Sequence, residues 1–347
     1  MTEQPDAPLA AAPKPSFFVR HDDAMALFEV FLVSAVGSIL LVRAFLAATG
    51  WPQLGGGKIH FAHLLWGGLG MLIAIILFLA FQGRLWRTLA TLAAGIGFGL
   101  FLDELGKFIT SDNDYFFQPV IAIIYVIFVV LFLLFRWLGT TKRLSPQMAL
   151  VNAFDYAKEA VLRDMDESEQ TKALFLLSHA DQADPVVAAL GDMLRSLDAL
   201  AKPRSSSLAK LKARLASAYG RLVDRRWFRR LVVGWFVLLS LVSLLGAVYL
   251  VAQPAALTFA EAGASMSALV SGALVVVGII RGRHSRLTAY HWFERAMLVS
   301  ILVGEFFQFY AHQFGALFGL LVLLLTFITI RYMIGEERKK LAAAATA

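Results

Sequence analysis

Residues 116–138 read FFQPVIAIIYVIFVVLFLLFRWL, and this stretch decides the class of fold. Its one charged residue, Arg136, lies close to the end of the run. A helix that crosses the hydrocarbon core of a bilayer needs about 20 predominantly apolar residues. The sequence therefore predicts a membrane-spanning helix here.

Seven further stretches have a similar length and composition, so the chain has eight candidate spans. They cover residues 24–48, 59–82, 85–109, 116–138, 228–252, 264–281, 293–313 and 315–334. The whole chain is 59% hydrophobic and only 16% charged, whereas soluble domains carry about 25% charged residues. These features predict an all-α fold, a polytopic transmembrane helical bundle of about eight spans. The lipid bilayer is therefore a predicted partner of the chain.

Basic residues are concentrated on alternate connections between the spans. The basic connections carry Arg84, Arg87, Arg136, Lys142, Arg143, Arg225, Arg226, Arg229, Arg230, Arg281, Arg283, Arg286, Arg338, Lys339 and Lys340. The positive-inside rule assigns such connections to the cytoplasm. We therefore expect a multi-pass protein of the cell inner (plasma) membrane with both termini in the cytoplasm. The net charge of +7 is explained in this way, and no nucleic-acid-binding motif accompanies it.

The spans divide the chain into five regions. Residues 1–23 predict a disordered cytoplasmic tail, 24–140 the first four spans, 141–226 a small cytoplasmic helical domain, 227–334 the last four spans and 335–347 a second tail. The inserted domain has helical patterns at 146–163, 166–180, 185–201 and 206–223. We expect these helices to pack on one another or on a second protomer, which is compatible with a homo-oligomer.

Polar residues in the third span make a first candidate site. Asp103 and Glu104 stand in an otherwise apolar run, with Lys107 one turn further on. Lys107 can reach either carboxylate along the helix, because residues three and four apart are neighbours. Adjacent residues point about 100° apart on a helix, so we expect only one of the two acids to face the site.

Other spans bring polar groups to the same predicted depth, the outer half of the membrane. Arg43 lies inside the first span, and the seventh span carries Glu305 and Gln308. Ionisable residues within spans usually face a bundle interior or a water-filled cavity. Asp103, Glu104, Lys107, Glu305, Gln308 and Arg43 therefore form the predicted ion or proton site.

Histidines suggest a metal site at the same depth. His60 and His63 lie at the beginning of the second span, and His312 lies at the end of the seventh. Together with Glu104 or Glu305 they are a nitrogen and oxygen ligand set suited to zinc or iron. The chain contains no cysteine, so a thiolate site is excluded.

Three functions are compatible with this pattern. The first is a proton- or ion-handling transporter or channel, in which Glu104 and Glu305 titrate. The second is a metal-dependent intramembrane enzyme that acts on a lipid-like substrate through a metal-bound water. The third is a non-catalytic membrane scaffold or sensor. The ligand is accordingly a small ion, a proton or a lipid-like molecule.

Glycines predict which spans lie side by side. Gly95 and Gly99 form a Gly-x-x-x-Gly pair on the third span, and Gly67, Gly68 and Gly70 lie close together on the second. Small residues allow helix backbones to approach closely in lipid. We expect the second and third spans to be neighbours.

Overall fold

A computed structural model describes most of the chain, and every regular element in the described part is a helix. The described residues are 19–50, 63–111, 117, 119–139, 144–162, 165–197, 214, 217–223, 225–252 and 256–346. The helices are α1 (Ala24–Thr49), α2 (His63–Ala80), α3 (Arg84–Asp103), α4 (Leu105–Ile109), α5 (Val120–Gly139), α6 (Pro146–Val161), α7 (Glu167–Ser178), α8 (Pro185–Ser196), α9 (Arg226–Val251), α10 (Phe259–Gly282), α11 (Arg286–Val299), α12 (Glu305–His312) and α13 (Leu317–Thr346). Most of the predicted N-terminal tail and of the predicted helix at 206–223 lies outside the described residues.

Among the described residues, seven helical segments are long and apolar enough to cross a membrane. The last of them, Arg286–Lys339, has 54 residues and covers both the seventh and the eighth predicted span. The helical path is interrupted there by a 3₁₀ turn, Gln313–Ala316, in which Gln313 has a φ of 47°. The segment folds back on itself, because the Arg331 Nε atom lies 3.5 Å from the Glu294 Oε1 atom.

The third predicted span, 85–109, is interrupted near its end. α3 ends at Asp103, and the short helix α4 begins at Leu105. Glu104 lies between them with φ −87° and ψ 2°, which is the bridge region of backbone conformation. The break falls directly at the acidic pair that the sequence singled out.

The described residues separate into two compact units. The first comprises 19–50, 65–100, 134–139, 144–162 and 165–197, and the second comprises 63–64, 101–111, 117, 119–133, 214, 217–223, 225–252 and 256–346. The first unit therefore holds most of α1 to α3 and all of α6 to α8, whereas the second holds α4, most of α5, and α9 to α13.

Glycines on α3 fix the helix packing of the first unit. A Cβ atom on Gly95 or Gly99 would lie about 2 Å from the hydroxyl of Ser34 or Ser38 on α1. A Cβ atom on Gly97 would lie 2.6 Å from the Gly67 carbonyl oxygen on α2. The second and third spans are neighbours as predicted, but the contact is made by Gly97, and Gly95 and Gly99 face α1.

The polar helices α6 to α8 pack around a small apolar core that includes Ala153, Leu176 and Leu194. Each helix begins at a capping side chain that accepts a hydrogen bond from a backbone N–H of the first turn. The caps are Ser145, Asp166 and Asp184. The predicted helices at 146–163, 166–180 and 185–201 are thus present with slightly shorter bounds.

The polar helices also contact the beginnings of α1 and α3. The Arg84 backbone N–H donates to Glu159 Oε1 at 2.8 Å, and the Asp22 N–H donates to Asn152 Oδ1 at 2.7 Å. The Asn152 amide in turn donates to the Arg20 carbonyl at 2.8 Å. Backbone groups at the start of two apolar helices are thus satisfied by α6.

In the second unit, α9 to α11 and α13 share one apolar core. Phe236 of α9, Val275 of α10, Met297 of α11 and Ile330 of α13 are all buried in it. A turn of π-helix, Ser300–Gly304, separates α11 from α12. This irregular turn positions the site described next.

Candidate functional site

Glu104 is a fully buried carboxylate that has several partners. Lys107 Nζ lies 2.7 Å from its Oε2 atom. The His63 backbone N–H donates to its Oε1 atom at 3.2 Å, and the His63 Nδ1 atom lies 3.1 Å from the same oxygen. The helix break allows this arrangement, because it turns the carboxylate towards the beginning of α2.

Asp103 is buried to the same extent as its neighbour, with 0% of its surface exposed. The prediction that only one of the two acids faces the site is not tested by this burial. It assumed a regular helix through both residues, whereas the regular helix ends at Asp103.

Glu305 is a buried carboxylate of a different kind. Only 5% of its surface is exposed. Within the described residues its carboxylate makes no ion pair, and its Oε2 atom, like that of Glu104, has no hydrogen-bond partner. Burying an isolated charge costs on the order of several kcal/mol in desolvation free energy. Such a carboxylate therefore takes up a proton or binds a cation.

The π-helical turn before Glu305 changes the backbone hydrogen bonds. The Glu305 N–H donates to the Ser300 carbonyl, five residues back. The Ile301 carbonyl, which would accept that N–H in a regular α-helix, instead accepts a hydrogen bond from the Tyr125 hydroxyl. The Tyr125 ring also stacks on Phe309 with centroids 4.9 Å apart. Single π-helical turns are frequent at functional sites.

Glu305 lines a cavity of about 530 Å³ within the second unit. Serine hydroxyls from three helices line the same cavity, and the glycines next to them leave space. The polar and small lining residues include Ser240, Ser243, Ser267, Ser271, Ser300, Gly304 and Gly319. A Cβ atom added to Gly319 would lie 3.7 Å from Glu305 Oε1, so the helix backbone of α13 passes close to the carboxylate.

The hydroxyls in this cavity are partly paired with one another. Ser271 and Ser300 share a hydrogen bond of 2.9 Å, and the Ser271 hydroxyl lies 3.1 Å from the Ala296 carbonyl oxygen. A hydroxyl can both donate and accept. The cavity therefore offers oxygen ligands as well as donors beside one carboxylate.

The remaining predicted site residues are distributed as follows. Gln308 and His312 line the Glu305 cavity and are exposed. Arg43 is half-buried on α1, in the first unit. His60 lies outside the described residues, whereas His63 contacts Glu104.

The predicted metal ligands do not form a set in the described part of the chain. No group of three or more histidine and acidic side chains there lies close enough to hold a metal ion. His63 has Glu104 as its partner, and His312 lines the cavity of Glu305. Each histidine thus accompanies a different glutamate.

The serines were not singled out from the sequence, although a signal was present. Ser240 and Ser243 are three residues apart, and Ser267 and Ser271 are four apart, so each pair lies on one helix face. Serine at these spacings is common in any small-residue helix interface. The pattern becomes informative only beside an unpaired carboxylate.

Comparison with protein-family models gives no match, and neither curated proteins nor solved structures match the chain. The chain is a helical protein whose apolar helices are compatible with a membrane bundle.

Proposed function

We propose that this protein is a multi-pass membrane protein that handles protons or small cations, with Glu305 as the carboxylate that binds them. One observation supports the proposal above all others. Glu305 is buried, unpaired within the described residues, and lines a cavity that also holds serine hydroxyls.

The chemistry of the cavity suits a proton or a hard monovalent cation. Hard cations prefer oxygen ligands, and the Glu305 carboxylate with the hydroxyls of Ser267 and Ser300 would supply them. An uncharged Glu305 could instead donate its proton to a serine oxygen or to water. His312 lies at the exposed side of the cavity.

The cavity is proposed to open towards the outer side of the membrane. Along α11 and α12, Glu305 lies near the reverse turn at Gln313–Ala316 and far from the basic residue Arg286. Basic helix ends are expected on the cytoplasmic side. The reverse turn also supports eight crossings, because a straight helix of 54 residues would be about 80 Å long, far more than a bilayer needs.

Glu104 has a different proposed role. Its carboxylate is held by Lys107 and His63, so it is the less suitable of the two glutamates for binding a further cation. We assign it to fixing the break between α3 and α4. Of the two glutamates predicted to titrate, Glu305 alone is retained as the working group.

The test is ion flux into liposomes that contain the purified protein and a pH- or cation-sensitive dye. We expect Glu305→Gln to lower the flux at least about tenfold, since removing a charge that binds the cation directly costs more than about 1.4 kcal/mol. Glu29→Gln is the matched control, because Glu29 is exposed on α1 in the first unit. We expect that variant to retain wild-type flux.

A second variant tests the cavity without removing a charge. Gly319→Leu would place a side chain beside Glu305 and should also lower the flux, whereas Gly335→Leu on the same helix points into open space and should not. Unchanged flux in Glu305→Gln would contradict the proposal. Absence of flux in the wild-type protein for protons, sodium and potassium would instead favour the scaffold or sensor function.

A further inference from the structure

A second cavity of about 730 Å³ lies at the basic ends of α9, α11 and α13 in the second unit. Its lining includes Arg229 and Arg230 of α9, Arg286 and Tyr290 of α11, and Glu337 of α13. Three guanidinium groups thus face one carboxylate. The cavity is distinct from that of Glu305.

Two of these arginines are available for a ligand. Arg230 and Arg286 are exposed, and in the described part of the chain neither forms an ion pair. Arg286 is also the first residue of α11, and α9 begins at Arg226, three residues before Arg229. Helix beginnings carry a partial positive charge, which adds to that of the side chains.

The cavity lies where an apolar helix meets its charged end. Leu231 and the following residues of α9 are apolar, and Trp227 is 54% exposed beside the arginines. Tryptophan is enriched at the level of lipid headgroups. One turn deeper, Gly234 also lines the cavity, and a Cβ atom there would meet nothing within 4 Å.

We propose that this cavity binds the phosphate of an anionic lipid headgroup of the phosphatidylglycerol type. Arginine is the side chain best suited to phosphate, because its planar fork donates two parallel hydrogen bonds. The Tyr290 hydroxyl is a further donor. The Glu337 carboxylate can accept a hydrogen bond from a headgroup hydroxyl, which favours a glycerol headgroup over a bare phosphate.

Native mass spectrometry of the full-length protein tests this proposal. The protein is purified in detergent and offered an equal mixture of phosphatidylglycerol and phosphatidylcholine. We expect the wild-type protein to retain phosphatidylglycerol preferentially. The double variant Arg230→Gln/Arg286→Gln should lose roughly 25-fold in retention, at roughly fivefold for each arginine.

Arg281→Gln/Arg283→Gln is the matched control. Both residues are exposed at the end of α10 and do not line the cavity, and the change in net charge is the same. We expect this variant to retain phosphatidylglycerol. Equal losses in the two double variants would overturn the proposal, because they would show general attraction by surface charge. Equal wild-type retention of both lipids would overturn it as well.

Two glycine variants test the space in the cavity without changing its charge. Gly234→Leu should fill the cavity and lower lipid retention, whereas Gly246→Leu on the same helix also points into open space but lies away from the cavity. Addition of inorganic phosphate distinguishes the source of the anion. Displacement of the lipid only at large phosphate excess supports a headgroup site, and tight phosphate binding without lipid preference would overturn the assignment to a lipid.

Discussion

Glu104 and Glu305 are both buried carboxylates on apolar helices, and both follow or occupy an irregular turn, but their surroundings differ. Glu104 is contacted by Lys107 and by two nitrogen atoms of His63. Glu305 lines a cavity together with serine hydroxyls and lies close to a glycine backbone. In the described part of the chain the Oε2 atom of neither glutamate has a hydrogen bond, but Glu104 Oε2 lies 2.7 Å from the Lys107 ammonium, whereas the Glu305 carboxylate has no such cation beside it. The comparison teaches that burial alone does not identify a functional acid.

The free energy of each arrangement explains the difference. A buried ion pair recovers much of the cost of desolvating two charges through their attraction and their hydrogen bonds. Removing one partner then leaves the other charge buried without its attraction, so the full free-energy cost of desolvating that charge remains. A lone carboxylate has no such partner. Replacing it with a neutral amide should therefore change the free energy of unfolding little, but should strongly weaken ion binding.

Loss of the Glu104 carboxylate should have the largest effect on stability. We expect Glu104→Ala to lower the free energy of unfolding by about 2–4 kcal/mol, slightly less than for a fully enclosed pair, because Lys107 retains some exposure. Unfolding in a titration with sodium dodecyl sulfate measures it. The double variant Glu104→Ala/Lys107→Met should lose less than the sum of the single variants. If the two single losses simply added up, Glu104 and Lys107 would not be coupled, and the contrast between a paired Glu104 and Glu305 would be contradicted.

Loss of the Tyr125 hydroxyl should have an intermediate effect. Tyr125→Phe leaves the Ile301 carbonyl without the donor that replaces its helical partner, and an unsatisfied buried acceptor costs about 1–3 kcal/mol. The same titration measures the loss. Tyr249→Phe is the control, since Tyr249 is 69% exposed and its variant should behave as wild type. An unchanged Tyr125→Phe protein would show that the π-helical turn does not depend on this bond.

Loss of the Glu305 charge should have a small effect on stability. We expect Glu305→Gln to change the free energy of unfolding by less than about 1 kcal/mol, or to raise it, because no paired charge is left behind. The measurement is again detergent unfolding, side by side with Glu104→Ala. A loss as large as that of Glu104→Ala would mean that Glu305 is paired and would contradict its assignment as the ion-binding group.

Asp155 on α6 provides a third kind of carboxylate, paired but partly exposed, and its expected contribution to stability is also small. Burial raises its pKa, but hydrogen bonding and attraction to Lys158, with contributions from Arg87 and His21, outweigh that effect and lower the pKa below its ordinary value. A carboxyl group with a lowered folded-state pKa contributes stability above its unfolded-state pKa of about 3.9, and that contribution is lost as the pH falls.

The Asp155 contribution is measured as the difference in unfolding between wild type and Asp155→Asn from about pH 7 to about pH 3. We expect a gap of at most about 1 kcal/mol near neutral pH, because partly exposed pairs contribute little. The gap should close at the acid end. A gap that widens on acidification would mean that the pKa of Asp155 is raised.

Local features of the chain were predictable because they depend on neighbouring residues. The apolar run that includes residues 120–138 forms α5. The caps at Ser145-Pro146 and Asp184-Pro185 begin α6 and α8. The polar positions Glu104 and Glu305 were found for the same reason, since a charge in an apolar run is visible in the sequence alone.

The environment of each polar residue was not predictable, because it depends on residues far apart in the chain. His63 reaches Glu104 across 41 positions, and Tyr125 reaches Ile301 across 176. The serines of α9 and α10 meet Glu305 only after the helices pack. The sequence also did not predict where the helix breaks at Glu104 or where the π-helical turn forms at 300–304.

The sequence by itself determined that the chain is helical and apolar enough for a membrane, because hydropathy and helix capping are short-range properties. It also determined which ionisable residues interrupt the apolar runs. The tertiary structure alone decided that Glu104 is paired and that Glu305 has no ion pair among the described residues, because pairing depends on which helices meet. That choice is set by the close approach of small residues and by two breaks in helical geometry, both of which are consequences of packing.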